Sequence, residues 1–397
     1  MSRRLRVLSL GTLFPAPTRP AFGGFVARQM AAVAARGDVE LTIVNPLGLP
    51  PWPLTWREPH ATLARNPARS ALGGLPVHHP RFLSLPTRAD HNPAQIARAV
   101  LPLVRGLHAK APFDLIDAQF LFPDGPAAMR IAAALGLPFS MKARGSDVLY
   151  WGTRPAALAQ MVEASRAAAG MLSVSEALRR DMIALGMPGE AIRVHYTGLD
   201  HARFRPLPRA AARAQACAAL GLAIPADAAL LSCTGSLIAI KGQALAIEAL
   251  ECVPHAHLAL AGKGGDEPEL RALAKRLGLA KRVHFLGQVS HEVLPLLLAG
   301  SDAMVLPSER EGLANAWIEA LACGTPLVIP EIGGAHEVVG DASAGRVVDR
   351  TASAIAAAVR ELLLDPPAPE AVAAHAARFS WDVSAAELVD YWRGLTA

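Results

Sequence analysis

"ALLSCTGSLIAIKGQALAIEALECV", residues 229–253, changes its hydrophobic period halfway along. The opening residues form a short apolar run, the length of a buried strand and too short for a helix. Gly235 begins a turn and Lys241-Gly242 closes it. Beyond it, Leu245, Ala246, Ala249, Leu250 and Val253 recur at helical spacing. A strand that passes through a glycine turn into a helix is half of a β-α-β unit. Such units join right-handedly into a parallel sheet with helices on both faces. Whether the pattern recurs decides the fold.

It recurs in both directions. Downstream, "AHLALAGKG" (256–264), "RVHFLG" (282–287), "DAMVLPS" (302–308) and "PLVIPE" (326–331) read as strands. Helical stretches such as "EPELRALAKRLGL" (267–279) separate them. Upstream, "LRVLSLGT" (5–12), "VELTIVNP" (39–46), "FDLIDAQF" (113–120), "PFSMKARG" (138–145) and "GMLSVS" (170–175) are strands. The helices "GGFVARQMAAVAARG", "DGPAAMRIAAALG" and "EALRRDMIALG" alternate with them. Residues 204–228, with Pro206, Pro208 and Pro225, break the rhythm and read as an interdomain connection. The expected class is α/β: two doubly wound, Rossmann-like parallel sheets. The expected domains are 1–203, 204–380, and a last helix within 381–397 (Trp381, Tyr391, Trp392) that packs back on the first domain. Ligands of such folds sit at the carboxyl ends of the strands, here in a cleft between two sheets.

Composition agrees. A chain of 397 residues suits two domains, and 52% hydrophobic residues at mean hydropathy +0.28 can fill both cores. Cys217, Cys233, Cys252 and Cys323 form no CxxC pair, which argues against a zinc site or a disulfide framework and fits a reducing cytoplasm. No apolar run reaches the roughly 18 residues a membrane span needs. "MSRRLRVLSLGTLFPAP" imitates a signal peptide, but its short run is broken by Gly11 and reads as the first strand. Residues 1–200 hold 22 Lys/Arg and 13 Asp/Glu, a net of +9, and the remainder a net of −4. Either the first half meets an anionic partner, such as a membrane surface or lipid-linked phosphate, or arginine is simply frequent throughout.

The glycine turns are where chemistry belongs. Gly23-Gly24, Gly235 with Lys241-Gly242, and Gly262 with Gly264-Gly265 each lie between a strand and a helix. There, backbone amides can reach a phosphate. A P-loop is excluded, because "GKGG" has no Ser or Thr after its lysine. A dinucleotide fingerprint is excluded too, because "LGTLFPA" lacks GxGxxG. In "PSEREGLANAWIEALACGTP" (307–326), Glu311 precedes a helix expected to start at Asn315 as N-cap and to end at Gly324. Glu319 lies one turn inside, where a carboxylate can take two ribose hydroxyls, and a phosphate fits against the amides of Leu313 and Ala314. Taken alone, these two glutamates also read as ordinary surface residues, and Lys241 as a solvated lysine.

These residues resemble the retaining GT-B glycosyltransferases of glycosyltransferase family 4, over nearly the whole chain. The family's E-x7-E element is similar to "EGLANAWIEALACGTPLV", and its phosphate element G-x-L-x-x-x-K-G to "GSLIAIKG". "AGKG", "VHFLGQV" and "GGAHEVV" follow in family order, and "GGFVARQ", "DAQFLFPDG", "RGSDV", "VSEALRRDM" and "HYTGLDHARFRP" resemble its first-domain landmarks. The subgroup is similar to bacterial enzymes that build cell-surface polysaccharides. The resemblance implies that Glu319 binds the donor ribose and Lys241 the diphosphate. It places Glu311 near the sugar and the reaction centre, and Gly23 and Gly24 at the phosphates. Gly333 and Gly334 would line the same pocket, with Gly235, Ser236 and Gly264 on the donor side and base contacts around His284–Gly287. It also implies front-face displacement with retention, the leaving diphosphate taking the acceptor proton, and no required metal or other cofactor. Two departures stand out. Ser236 occupies a position where the family often has arginine, and Arg144 one where it often has histidine. Arg144 cannot serve as a base, but it can hold an anionic acceptor or replace the missing cation. Asp147 beside it contacts sugar or caps a turn.

The implied partners are a nucleotide diphosphate sugar, UDP- or GDP-linked, and a glycan or lipid-linked acceptor. Weak attachment to the inner membrane face is expected from the basic half. At 5%, aromatics are too scarce for a nucleic-acid stacking groove. Trp52 and Trp56 in "LPPWPLTWREP" form an exposed patch or pack on their own domain. His78-His79, His255 and His257 have no ligand-spaced neighbours for a metal. Rival readings are a GT-B sugar-nucleotide epimerase, a glycoside hydrolase with Glu311 and Glu319 as its carboxylate pair, and a non-catalytic polysaccharide-binding protein. The residues do not name the sugar, the base or the acceptor.

Overall fold

The computed structural model describes residues 3–85 and 87–396. Met1, Ser2, Pro86 and Ala397, which fall inside the expected domains, lie outside the described residues. The chain divides into two compact units, residues 1–198 with 381–397, and residues 199–380.

The first unit holds β1 (Leu5–Leu10), β2 (Val39–Val44), β3 (Leu47–Leu49), β4 (Arg69–Leu72), β5 (Leu75–His78), β6 (Arg81–Leu83), β7 (Leu115–Ala118), β8 (Phe139–Ala143), β9 (Gly170–Ser173) and β10 (Ile192–Val194). Its main sheet runs in the order β10-β9-β8-β7-β1-β2-β5-β4. Every pair is parallel except β4 with β5. β3 and β6 make a separate small parallel pair. Central strands are covered on both faces: β7 and β8 are buried at every position, including the polar Asp117, Ser140 and Lys142 they carry. The helix Trp381–Thr396 belongs to this unit. Its Leu388, Val389 and Trp392 join the core formed by Val7, Met30, Val33 and Leu41, and Arg393 bonds Asp38 at 2.8 Å.

The second unit holds β11 (Ala229–Thr234), β12 (Ala256–Ala261), β13 (Val283–Gly287), β14 (Ala303–Val305), β15 (Leu327–Pro330) and β16 (Gly345–Val348), in the order β13-β12-β11-β14-β15-β16, all parallel. Sheets wound outward in both directions place their central strand ends, here those of β11 and β14, where ligands bind.

Three expectations change. The boundary follows Gly198 instead of Arg203, because the Leu199 amide donates to the Phe379 carbonyl of the second unit. Residues 204–228 are not merely connecting chain, for they contain the helix Arg209–Leu220. Its prolines bracket the helix instead of interrupting it: Pro208 precedes the first turn and Gly221, in the left-handed region, ends it. Arg213 pins it to Asp302 at 2.6 Å. Asn315 is the first helical residue, and Ala314 takes the cap position. Among the described residues, no helix is long and apolar enough to cross a membrane.

Candidate functional site

After β11 the chain turns through Gly235 and Ser236 into a short 3-10 turn, Ala239–Lys241. Backbone bonds set its course: Gly235 donates to Ala261 at 3.0 Å and Leu237 to Lys263 at 3.0 Å. The Gln243 side-chain amide donates to the Ser236 carbonyl at 2.8 Å. Gly242 closes the turn at φ 70, and a Cβ there would lie 2.1 Å from the Pro307 carbonyl oxygen. Only glycine allows that approach. Glu309 then donates its amide to Ile240 at 2.7 Å, and Arg350 holds the Pro307 carbonyl at 2.9 Å.

Two loops distant in sequence are thereby locked together, and their side chains meet. Lys241 Nζ lies 2.5 Å from Glu311 Oε1, and the Ser308 hydroxyl donates to the same oxygen at 2.8 Å. From the other side, Gly333 at φ 47 would place a Cβ 2.0 Å from the Glu311 carbonyl, and the Gly334 amide donates to Gly312 at 2.9 Å. Leu313 and Ala314 follow, both buried, and lead into the helix Asn315–Ala322. No side chain among the described residues caps that helix start, and uncapped first amides are the kind of donors an anionic ligand takes. Glu319 sits in the next turn, 9% exposed. Beneath it, burial and then the Glu319 charge push the Cys323 thiol up to about 12, so this cysteine is no nucleophile.

Beside Gly235 lies a pocket of about 330 Å³, lined by Thr234, Gly235, Ser236, Gly262, Lys263 and Gln288. Thr234 Oγ1 is buried without a partner among the described residues, an unsatisfied group that a ligand would complete. Gly264 packs its Cα against the Leu237 backbone, next to this pocket. Thr234, Lys263 and Gln288 escaped the sequence reading, although two of them stand in the quoted segments "AGKG" and "VHFLGQV". The segment 284–287 contributes less than expected. His284 turns onto His257 at 2.9 Å, and the lining residues are the next two, Gln288 and Val289. A larger hollow of about 680 Å³ along the helix Pro155–Ala167 shares no candidate residue.

In the first unit, Gly23 precedes the helix that Gly24 begins. Arg144 donates from Nε to the Gln119 carbonyl at 2.8 Å, and from Nη2 to Gln119 Oε1 at 2.6 Å and Gln29 Oε1 at 2.9 Å. Burial brings its guanidinium down to about 10, against the pull of Asp117, Asp147 and Asp124, so it remains charged at neutral pH. Its Nη1 is buried without a partner among the described residues. Asp147 accepts from the amides of Leu121, Arg144, Gly145 and Val148. Both its oxygens are engaged by backbone, which corrects the sugar-contact alternative: Asp147 caps the turn. Asp124, overlooked in the sequence, accepts from the Thr12 amide and hydroxyl, and burial raises it to about 7. Behind these, Lys142 Nζ meets His195 Nδ1 at 2.7 Å while His195 Nε2 contacts the Ser384 carbonyl at 2.8 Å. The carbonyl can only accept, so Nε2 carries the proton and Nδ1 accepts from Lys142.

A lysine–carboxylate pair, an uncapped helix start and glycine-bound loops at the carboxyl ends of a parallel sheet, in a chain with two such sheets, suit a ligand that carries phosphates, as the donor of a sugar transferase does. The comparisons with known proteins agree. Residues 24–203 match "Glycosyltransferase Family 4" and residues 221–379 match "Glycosyl transferases group 1". A GDP-mannose-dependent alpha-(1-6)-phosphatidylinositol monomannoside mannosyltransferase of Mycolicibacterium smegmatis is 32% identical over 304 residues, covering 73% of this chain and 75% of that one. A D-inositol 3-phosphate glycosyltransferase of Mycobacterium avium is 35% identical over 218 residues, 51% of this chain and 49% of that protein. This chain therefore spans only about half the length of that second relative. Sucrose-phosphate synthase from Thermosynechococcus elongatus superposes with TM-score 0.77 at 19% identity, covering 99% of both chains. Anabaena HepE in complex with UDP-glucose superposes with TM-score 0.74 at 20% identity, covering 98% and 100%. The chain belongs to the GT-B glycosyltransferases and is an enzyme of that class.

Proposed function

We propose that this enzyme moves a sugar, with retention, from a nucleotide diphosphate sugar to a glycan or lipid-linked acceptor in the building of a cell-surface saccharide. The observation that carries the reading is the meeting of Lys241 and Glu311 beside the open start of the helix that bears Glu319. Lys241 and the amides after Leu313 stabilise the charge that gathers on the leaving diphosphate. Glu319 holds the ribose. Glu311 orients Lys241 and lies near the transferred sugar, and no second carboxylate need act as nucleophile. The 330 Å³ pocket receives the base, with Thr234 and Gln288 as hydrogen-bonding walls. Ser236 leaves one phosphate charge unmatched within the second unit. The relatives whose names specify GDP-mannose and phosphatidylinositol or inositol phosphate favour a phosphorylated acceptor. HepE, solved with UDP-glucose, keeps uridine donors in consideration.

The test is a melting-temperature panel of UDP, GDP, ADP and TDP sugars, then transfer to lipid-linked acceptors with the anomeric configuration of the product read by NMR. A stabilising nucleotide whose effect disappears in Lys241→Ala, together with a retained anomer, is the expected result. An inverted anomer removes the retaining mechanism, and indifference to every nucleotide removes the donor reading.

A further inference from the structure

The five residues 52–56 expose more apolar surface than a water-facing loop has reason to. Trp52 is 71% and Trp56 75% exposed, their rings meet edge to face at 5.9 Å, and Leu54 between them is 39% exposed. Of the eleven large hydrophobic side chains exposed among the described residues, five (these three with Leu72 and Leu83) fall within residues 52–83.

This surface is held firmly. The 3-10 turn Leu54–Trp56 packs on the short helix His60–Ala64. Arg81 clamps the end of that helix through the carbonyls of Ala64 at 2.7 Å and Asn66 at 3.1 Å. Leu63 roots it against Ala16 and Leu47. Asn66 in turn accepts from the Thr18 amide at 3.0 Å, which brings in the loop where Arg19 lies over the exposed ring of Phe22.

The charge around it is predominantly positive. Between residues 46 and 88 stand Arg57, Arg65, Arg69, Arg81 and Arg88, all exposed, against one acid, Glu58. Glu58 is exposed as well, its carboxylate accepting from the Thr62 amide at 3.2 Å.

We propose that the face bearing Trp52, Leu54 and Trp56 docks onto the surface of an anionic phospholipid bilayer. Indoles favour the boundary between water and acyl chains, where an apolar ring and a polar N–H are both satisfied. Arginines beside them draw the face to negatively charged headgroups. The inference is independent of the transferase reading, since it concerns where the enzyme sits and not what it transfers.

Vesicles containing brominated phosphatidylcholine, with and without 30% phosphatidylglycerol, test it on the full chain. Wild-type tryptophan emission is quenched by the anionic vesicles, with partitioning at least tenfold stronger than to neutral ones and weakening as salt rises. Trp52→Ser/Trp56→Ser keeps the wild-type Tm and loses at least tenfold of the partitioning. Arg57→Gln/Arg65→Gln loses the preference for anionic vesicles. Unchanged partitioning in the tryptophan variant, or absence of quenching in the wild type, overturns the proposal. So does a concentration-dependent dimer, seen by sedimentation velocity and abolished by the tryptophan changes, because a second copy then covers the face.

Discussion

Replacing Lys241 with methionine keeps the side-chain stem and removes only its charge. In the structure Lys241 is 24% exposed and Glu311 11%, with their charged atoms 2.5 Å apart. That places the pair between an exposed ion pair, which contributes about 0–1 kcal/mol, and a fully buried one, whose disruption costs about 3–5 kcal/mol. Glu311 keeps the Ser308 hydroxyl, so a stability loss of about 1–2 kcal/mol is expected, a few degrees in the Tm of a unit this size. The barrier should rise by more. An electrostatic contact to a leaving group contributes about 2–4 kcal/mol, which is roughly 30- to 900-fold in kcat/KM at about 1.4 kcal/mol per tenfold. The two effects separate cleanly, because at 25 °C the variant is folded and slow. Initial transfer rates with the donor identified by the nucleotide panel, alongside a melting curve, measure both. A variant within threefold of wild-type kcat/KM would refute the placing of the diphosphate at Lys241.

Other outcomes follow from neighbouring features. Gly242→Ala forces a Cβ to 2.1 Å from the Pro307 carbonyl at φ 70, so a Tm fall of about 5–10 °C is expected by thermal melting, and a wild-type Tm would contradict the loop geometry. Asp124, raised to about 7 mainly by burial, holds a proton in the folded state that the unfolded chain releases above about pH 4. Its contribution to stability therefore falls as pH rises from 4 to 7 and levels off beyond. Asp124→Asn, neutral at every pH, should gain on the wild type by up to about 4 kcal/mol at pH 8 and by little at pH 4; parallel curves in denaturant titrations would dismiss this. Arg144→Ala should weaken donor affinity and turnover together, and if neither changes, Arg144 is not the compensating cation.

The alternation of strand and helix was legible because burial on both faces leaves central strands such as β12 and β15 with mostly apolar residues. The second unit's site was legible for a related reason. Its loops carry glycines at positions where no other residue fits, and Lys241, Glu311 and Glu319 stand next to them. What escaped notice depends on tertiary packing. The helix Asn92–Lys110 went unread although Pro93, Ile96, Ala97, Val100 and Val104 are buried at helical spacing, because Pro102 inside it reads as a breaker. Prolines at 206 and 208 resembled a linker, yet one of them starts a helix. Lys142 was written off with its strand, since nothing in "PFSMKARG" reveals that its ammonium lies against His195 from 53 residues away. Trp52 and Trp56 left two readings open, which exposure alone decided.

The route of the chain through its two units has a consequence during synthesis. The helix Trp381–Thr396 completes the core around Val7, Met30 and Trp392, but residues 199–380 come off the ribosome before it. At about 5–20 residues per second, that detour lasts on the order of 10–40 s. Throughout it, the nascent first half presents an apolar seam with nothing to close it, while the second half is free to fold alone. The unit that begins first is thus sealed after the second has emerged, and this interval is when a chaperone would have most to guard.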